Sequence, residues 1–460
     1  MSETNTLDDD LVHDAEDRLR PDFVREVVDD VREGRLAEAC ALVAELHPAD
    51  RADLIELAEP EDRSALIGAL GNLLDADVYA EMNEHVRELV VEEMDPGQAA
   101  ELTGDMDTDD AVALLEDLDE PDQRAILDAM EPDDRAAVEE ALSYPEESAG
   151  RIMQRDLIAV PEHWNVGQVI DFMRSDTELA DDFWEVFVVG PAHRPVGTTK
   201  LSTLLRTKRD VPITAIMQEE QTLIPVDMDQ EEVALRFQKY ALISAAVVDG
   251  GGRLVGMVTV DDIVHIIEEE ASEDALLLSG AGDGDINEPV AEAYRDRVRW
   301  LIANLGTALL ATFVIAQFEG TIARLAILAA LMPIVAALGG NAGTQALAVT
   351  VRALATNQLT GSNRARAIRR EFLVALLNGL TIAFILGIGV GLILDPMMGA
   401  VIAVAILFNI IVAGLAGVLV PVALDRLGAD PAVASSVFVT TVTDTIGFLA
   451  FLGLASAVLL

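Results

Sequence analysis

Asp444 is the residue of this 460-residue chain whose surroundings most demand a chemical role. It reads as the one acid inside five long apolar segments, in the run Thr440-Thr-Val-Thr-Asp-Thr-Ile-Gly-Phe448. An ionisable side chain at mid-bilayer costs about 3 kcal/mol or more. Thr440 and Thr441 precede Asp444 by four and three residues, so on a helix their oxygens share its face. Gly447, three residues later, keeps that face narrow. A carboxylate with flanking oxygen donors on a helix through lipid is the chemistry of a path for a hard cation. The competing reading is an acid that caps a neighbouring helix or hydrogen-bonds across the bundle.

A second polar group lies in Pro333-Ile-Val-Ala-Ala-Leu-Gly-Gly-Asn-Ala-Gly-Thr-Gln345, which runs on to Arg352. Pro333 frees a carbonyl one turn earlier, and the glycines loosen the backbone or allow close approach. Asn341, Thr344 and Gln345 fall near one helix face. Polar side chains at membrane depth line water or an ion, or else hydrogen-bond between helices packed through small residues. The patch is expected to meet that of the last segment. Asn409, alone in its segment, reads as a packing residue.

These residues must be positioned by five apolar segments, roughly 299–318, 322–350, 370–394, 397–423 and 432–459. Each can cross a hydrocarbon core of about 30 Å. Arg295, Arg297 and Arg299 precede the first, Arg364, Arg366, Arg369 and Arg370 separate the second from the third, and Arg426 follows the fourth. The loops around Glu319 and Asp395 carry few basic residues, Arg324 being the exception. Basic residues stay on the cytoplasmic side, so a multi-pass plasma-membrane protein is expected, with a cytoplasmic N-terminus and an external C-terminus.

The rest of the chain is very acidic. Residues 301–460 hold six acids and seven arginines, whereas the first 300 hold 74 acids against 24 basic residues. Only Lys200, Lys208 and Lys239 are lysine. Carboxylates this dense repel one another unless screened, which fits a halophilic cytoplasmic surface, a divalent-cation sensor, or both. It excludes nucleic acid as a partner. Cys40 stands alone, so no disulfide framework or thiolate metal site is expected. The first ten residues lack the basic and apolar regions of a signal peptide. No nucleophile–base set, phosphate-binding loop or metal-hydrolase motif is present, so the chain does not read as an enzyme. Gly280-Ala-Gly-Asp283 spells a string found in intramembrane aspartyl proteases, but it sits in a polar linker and such a site needs two acids.

Residues 1–35 read as a frayed helix or two. From 36 to 142 acid–proline helix starts recur (Glu59-Pro, Asp95-Pro, Glu120-Pro, Glu131-Pro), each followed by a short apolar run, which predicts short helices stacked in a superhelix. A second repeat follows. Ile152-Met-Gln154 recurs as Ile216-Met-Gln218, and Val188-Val with Val196-Gly recurs as Val247-Val with Val255-Gly, the first copy carrying an insert near Ser175 to Asp182. Each copy predicts a short strand, a helix, two strands around a turn and a closing helix. A linker helix over 265–300, broken by a Gly/Asp-rich turn at 280–285, leads to the membrane.

The stretch Val247-Val-Asp-Gly-Gly-Gly-Arg-Leu-Val-Gly-Met-Val-Thr-Val-Asp-Asp-Ile-Val264 resembles a CBS domain, and the repeat resembles a tandem CBS pair. The resemblance implies an adenine-nucleotide site, for ATP or a relative, at Thr259 and Asp262. The first copy has Lys200 and Thr203 in those places, and Thr259 and Asp262 can equally cap the closing helix. The whole layout resembles the MgtE family of magnesium channels through Tyr144-Pro-Glu-Glu-Ser-Ala-Gly-Arg-Ile-Met153, Arg297-Val-Arg-Trp-Leu301, Gly339-Gly-Asn-Ala-Gly-Thr-Gln345 with Arg352-Ala-Leu-Ala355, and Thr440 to Phe448. That resemblance implies a multidomain membrane protein: an all-α superhelical N domain (1–142), an α+β tandem CBS pair (143–209 and 210–270), a plug or linker helix (271–298) and a five-helix transmembrane domain (299–460).

It further implies a homodimer in which two copies of Asp444 hold hydrated Mg²⁺, with Thr440, Thr441 and Asn341 around the path. It implies a cytosolic Mg²⁺ sensor at Glu231, Asp262, Glu270, Glu273 and Asp274, with Asp109 from the N domain, whose occupancy shuts the pore. The sequence departs from the family pattern at Ala241 and His265, with Ala113 a third place, and carries Ser436 where relatives can carry Asn. The expected function is passive, Mg²⁺-gated Mg²⁺ transport. The alternatives are transport of another divalent ion such as Mn²⁺ or Co²⁺, and a membrane-anchored nucleotide sensor that moves no ions.

Overall fold

The computed structural model describes residues 12–460 apart from 17, 93, 117, 176–178, 180–182 and 281–286, without the side chains of Asp274, Ser279 and residues 433–435. The expectations for the extreme N-terminus, for most of the insert near 176–182, for the Gly/Asp turn and for the Asp274 side chain therefore lie outside the described residues. The chain divides into two compact units, Met1–Ile267 and Glu268–Leu460.

The first unit opens with short helices: α1 (Pro21–Arg32), α2 (Leu36–Val43), α3 (Pro48–Leu57), α4 (Pro60–Leu70), α5 (Ala76–Ala80), α6 (Glu84–Glu92), α7 (Pro96–Gly104), α8 (Thr108–Glu116), α9 (Glu120–Ala129) and α10 (Pro132–Leu142). Proline stands in the first turn of α1, α3, α4, α7, α9 and α10, where its missing N–H costs no helical hydrogen bond. Asp95 caps α7 by accepting from the Gly97 N–H at 2.9 Å. Later helices pack on the one two ahead, α7 on α9 and α8 on α10, as a superhelix requires. One core gathers Phe23, Val27, Ile55 and Val78, a second gathers Leu114, Leu115 and Val138, and Met94 and Met106 pack against both.

The sequence repeat then forms twice: β1 (Ala159–Pro161), α11 (Val166–Met173), β2 (Glu185–Val189), β3 (Pro195–Lys200) and α12 (Leu201–Arg206), followed by β4 (Leu223–Pro225), α13 (Gln230–Tyr240), β5 (Ser244–Val248), β6 (Leu254–Thr259) and α14 (Val260–Ser279). Each sheet has one parallel and one antiparallel pair, and both carry a bulge at the same repeat position, after Val188 and after Val247. The Ile-Met-Gln segments cross over. The Gln154 N–H donates to the Met257 carbonyl at 2.8 Å on β6, and the Gln218 N–H donates to the Thr198 carbonyl at 2.8 Å on β3. Met153 packs in the core of the second copy and Met217 in that of the first. Gly256 and Gly197 make room: a Cβ there would lie 2.7 Å from Met153 Sδ and 2.9 Å from Met217 Sδ. The closing helix and the start of the linker, read from sequence as separate pieces, are one helix, α14, because no Gly or Pro interrupts 260–279.

The second unit holds α15 (Val290–Ala316), α16 (Glu319–Arg324), α17 (Ile327–Ala355), α18 (Arg364–Ile393), α19 (Pro396–Leu427) and α20 (Pro431–Leu459). Five of these, all but α16, are long and apolar enough to cross a membrane. The acid–proline start recurs here: Asp395 accepts from the Met397 N–H at 2.8 Å and Asp430 from the Ala432 N–H at 2.7 Å. α19 is the hub, packed on α17, α18 and α20, and its Ile402, Ala405, Ile406 and Ala413 are fully buried. Of the two alternatives that the sequence leaves for these glycines, the structure shows close approach, and α17 is not loosened at Pro333 or at Gly339–Gly340. It stays helical throughout, and Gly339 and Gly343 serve close approach to neighbouring helices.

Candidate functional site

Asp444 lies midway along α20, half-buried, with no hydrogen bond or ion pair among the described residues. Thr440 and Thr441, also half-buried, donate their hydroxyls to backbone carbonyls one turn back: Thr440 Oγ1 to Ser436 O at 2.9 Å and Thr441 Oγ1 to Val437 O at 2.6 Å. With the protons committed to the helix, the free lone pairs of both hydroxyls remain as acceptors for a cation or its water. The face next to these residues is the packed one. A Cβ at Gly343 of α17 would lie 2.6 Å from Val439 Cγ1 and 3.5 Å from Thr443 Cγ2, so α17 and α20 touch there. Asn341, Thr344 and Gln345, beside Gly343, are exposed. No hydrogen bond among the described residues joins Asn341 to Asp444, Thr440 or Thr441.

Asn409 of α19 holds the three helices around this place. It is fully buried and donates Nδ2 to Val335 O of α17 at 3.0 Å. A Cβ at Gly447 would lie 2.6 Å from Asn409 Nδ2, and one at Gly339 would collide with the same atom. Gly447 therefore admits the Asn409 amide and does not itself shape the Asp444 face as expected from spacing. A carboxylate that the sequence reading passed over is Glu371, in the second turn of α18, 9 % exposed and paired with Arg370 at 2.8 Å. Its place at the margin of the third apolar segment was the available signal.

A second carboxylate group lies in the first unit. One oxygen from each of Asp107, Asp109 and Asp110, at the start of α8, lies within 4.8 Å of the others. Asp109 is 8 % exposed and its buried Oδ1 has no hydrogen-bond partner. Burial first, then the neighbouring charge of Asp262, pushes the Asp109 carboxyl well above its usual range. The same causes, with Asp107 added, push Asp110 up to about 7. Asp107 is raised by burial and then by Asp156 and Asp262. Burial also raises Asp262, against the Thr259 hydroxyl that donates to its Oδ2. Gln154 Nε2 donates to that oxygen at 3.2 Å. Crowded oxygens with an orphaned buried acceptor are the donor set of a hard divalent cation. Asp107 and Asp110 escape the sequence reading as ligands, because acids before and in the first turn of a helix are also ordinary helix-start residues.

Thr259 is buried, and its hydroxyl and its backbone N–H both donate to the Asp262 carboxylate across the first turn of α14, which supplies one arm of a capping box. The pair thus caps a helix and faces the Asp109 group at once. In the first copy Lys200 stands before α12 without a side-chain cap. Glu231 sits in the first turn of α13, its N–H bonded to Asp229 Oδ1 at 3.0 Å. Glu270, Glu273 and Asp274 lie on the second half of α14, and Glu273 borders a pocket of about 620 Å³ with Asp296, Arg299 and Trp300. Ala241 ends α13 in a left-handed conformation with φ of 50°, which Asp tolerates better than Ala. His265 and Ala113 are exposed.

Comparison with known proteins accounts for both halves. The MgtE divalent cation transporter family matches residues 332–454, the MgtE intracellular N domain matches 46–147, and a CBS domain matches 213–269. A magnesium transporter MgtE of Enterococcus faecalis is 34% identical over 316 residues, which cover 68% of this chain and 70% of that protein. The magnesium transporter MgtE of Thermus thermophilus is 34% identical over 323 residues, covering 69% of this chain and 71% of the relative. A crystal structure of the cytosolic domain of the Mg²⁺ channel MgtE in complex with ATP aligns with 53% of this chain and 99% of its own at 27% identity, with a TM-score of 0.49. With its superhelical N-terminal helices, tandem strand–helix repeat and five apolar helices, the chain belongs to the MgtE family of divalent cation transporters.

Proposed function

We propose that this chain moves Mg²⁺ passively through the plasma membrane as a homodimer, with Asp444 of each copy facing a shared path. One observation carries the reading: a half-buried carboxylate lies midway along an apolar helix with no ion pair among the described residues, beside two threonines whose lone pairs are open. Mg²⁺ sheds water reluctantly and is commonly held by one or two carboxylates through a retained shell. A single chain supplies one such carboxylate and a twofold axis supplies two. Exposed Asn341 extends the polar lining. Arginines at the starts of α15 and α18 and at the end of α19 favour a cytoplasmic N-terminus and an external C-terminus.

The same reading makes residues 1–142, the CBS pair over 143–209 and 210–270, and the plug over 271–298 a gate. Asp107, Asp109, Asp110 and Asp262 repel one another without a counter-ion, so a bound divalent cation favours the compact arrangement and closes the path. Glu231, Glu270, Glu273 and Asp274 extend this sensor. Thr259 and Asp262 form the proposed contact for an adenine nucleotide, which would compete with their mutual hydrogen bond.

The test is Mg²⁺ uptake by proteoliposomes, with internal Mg²⁺ varied. Asp444→Ala is expected to reduce uptake to that of empty vesicles while the protein elutes as the unsubstituted chain does; normal uptake refutes the pore assignment. Competition by Mn²⁺ and Co²⁺ in the same assay separates Mg²⁺ selectivity from general divalent transport.

A further inference from the structure

We infer that the outer face of α18 binds an anionic phospholipid, its headgroup on Arg366 and Arg369 and an acyl chain in the groove between α18 and α19. Several arginines of this acid-rich chain pair with carboxylates: Arg32 with Asp62 at 2.7 Å, Arg155 with Glu140 at 2.6 Å and, at the start of α18 itself, Arg364 with Asp425 at 2.6 Å. Arg366 and Arg369 are exposed and have no ion pair among the described residues. They stand three residues apart on one helix face, close enough to share one phosphate.

The same face continues as apolar surface. Leu373, Leu377, Leu380 and Phe384 follow at helical spacing and are 46, 64, 49 and 69% exposed. Leu380, Thr381 and Phe384 then border a groove of about 770 Å³ against Ala403, Val404 and Leu407 of α19. At 1.5 Å per residue the groove begins roughly 16 Å from Arg369 along the helix and reaches Phe384 at roughly 22 Å. Half of a hydrocarbon core is about 15 Å, so a chain descending from a headgroup on the arginines runs along Leu373 and Leu377 and brings its end to the mouth of the groove. α18 packs chiefly on α19 and shares no extensive packing with α20, which carries Asp444, so this exposed stripe on a helix apolar enough to span a membrane is offered to lipid. Two positive charges with an adjoining apolar furrow match a phospholipid of net negative head, whereas the ammonium of a zwitterionic lipid competes with the arginines for its phosphate.

Native mass spectrometry of the full-length chain in mild detergent, titrated with phosphatidylglycerol and phosphatidylcholine, tests this. Phosphatidylglycerol is expected to be retained and phosphatidylcholine lost. Arg366→Gln with Arg369→Gln should weaken phosphatidylglycerol by roughly 25-fold, at about five-fold per arginine near an anionic headgroup, and Arg→Lys at both positions should restore most of it. Thr381→Trp fills the groove from its exposed side. It should weaken long-chain phosphatidylglycerol and leave the dihexanoyl form unchanged. Equal retention of phosphatidylcholine, indifference to the double Gln variant, or displacement of the lipid by free glycerol phosphate overturns the inference. Dimer formation by Leu377→Cys cross-linking in proteoliposomes also overturns it, because a second copy then covers the face.

Discussion

A carboxylate that cannot reach a cation must take up a proton or hold itself apart from its like, and the Asp109 group shows the second difficulty plainly. Its acids are held near one another by backbone, with Asp110 lifted from 3.8 to about 7 mainly by burial. The sign of the linkage follows. Between those values the folded chain holds a proton that the unfolded chain has released, so this group's contribution to stability falls as pH rises through the window. In chelator, the thermal midpoint of the full chain is expected to drop from about pH 4 to about pH 7. Added Mg²⁺ should raise the midpoint at about pH 8 and have little effect at about pH 5, where protons already occupy the site. Differential scanning fluorimetry checks this. Asp109→Asn is expected to raise the cation-free midpoint, by on the order of 1–2 kcal/mol of stability, and to blunt the Mg²⁺ response. A lower midpoint with an intact response would count against a cation there.

Among elements, α17, α19 and α20 share an apolar core and meet around one buried amide, that of Asn409. Gly339 and Gly447 leave no room for a Cβ beside Asn409, so Gly447→Ala is expected to cost about 1–3 kcal/mol through overpacking. Asn409→Ala in the same chain should recover part of that loss, and thermal melts of the single and double variants in detergent read the coupling. These relations mark how far the sequence speaks. The acid–proline starts, the duplicated Ile-Met-Gln and Val-Val strings and the lone Asp444 were legible because each is a local signal with a local cause. Asn409 was read as a packing residue from its isolation, yet which glycines it would meet was not legible, since helix rotation decides that. Asp109 and Asp262 were named singly, but their meeting depends on how α8 packs near the start of α14. Asp107 and Asp110 were hidden as helix-start chemistry, and Glu371, the second residue of the third apolar segment, was passed over as part of its arginine-rich margin.

For the whole molecule, charge sets the working conditions. The chain carries a formal charge of −49, and the surplus lies in residues 1–300. Raising ionic strength from about 0.1 to 1 M shortens the screening length from about 10 to 3 Å. The thermal midpoint of the full chain is expected to rise over that range, in potassium as in sodium salts, because the effect is one of screening. A midpoint that is flat with salt would show that the acids are already neutralised pairwise.

The crossed Ile-Met-Gln segments carry a consequence for how this chain can be cut and inherited. Each copy of the repeat borrows a strip of backbone and a methionine from the other, so the two are hooked together like links of a clasp. Excising either one strands a groove on its sibling, and a fragment ending between them should come out of the cell as aggregate where the joined pair survives. Evolution faces the same arithmetic: it can trade the clasp between proteins only whole.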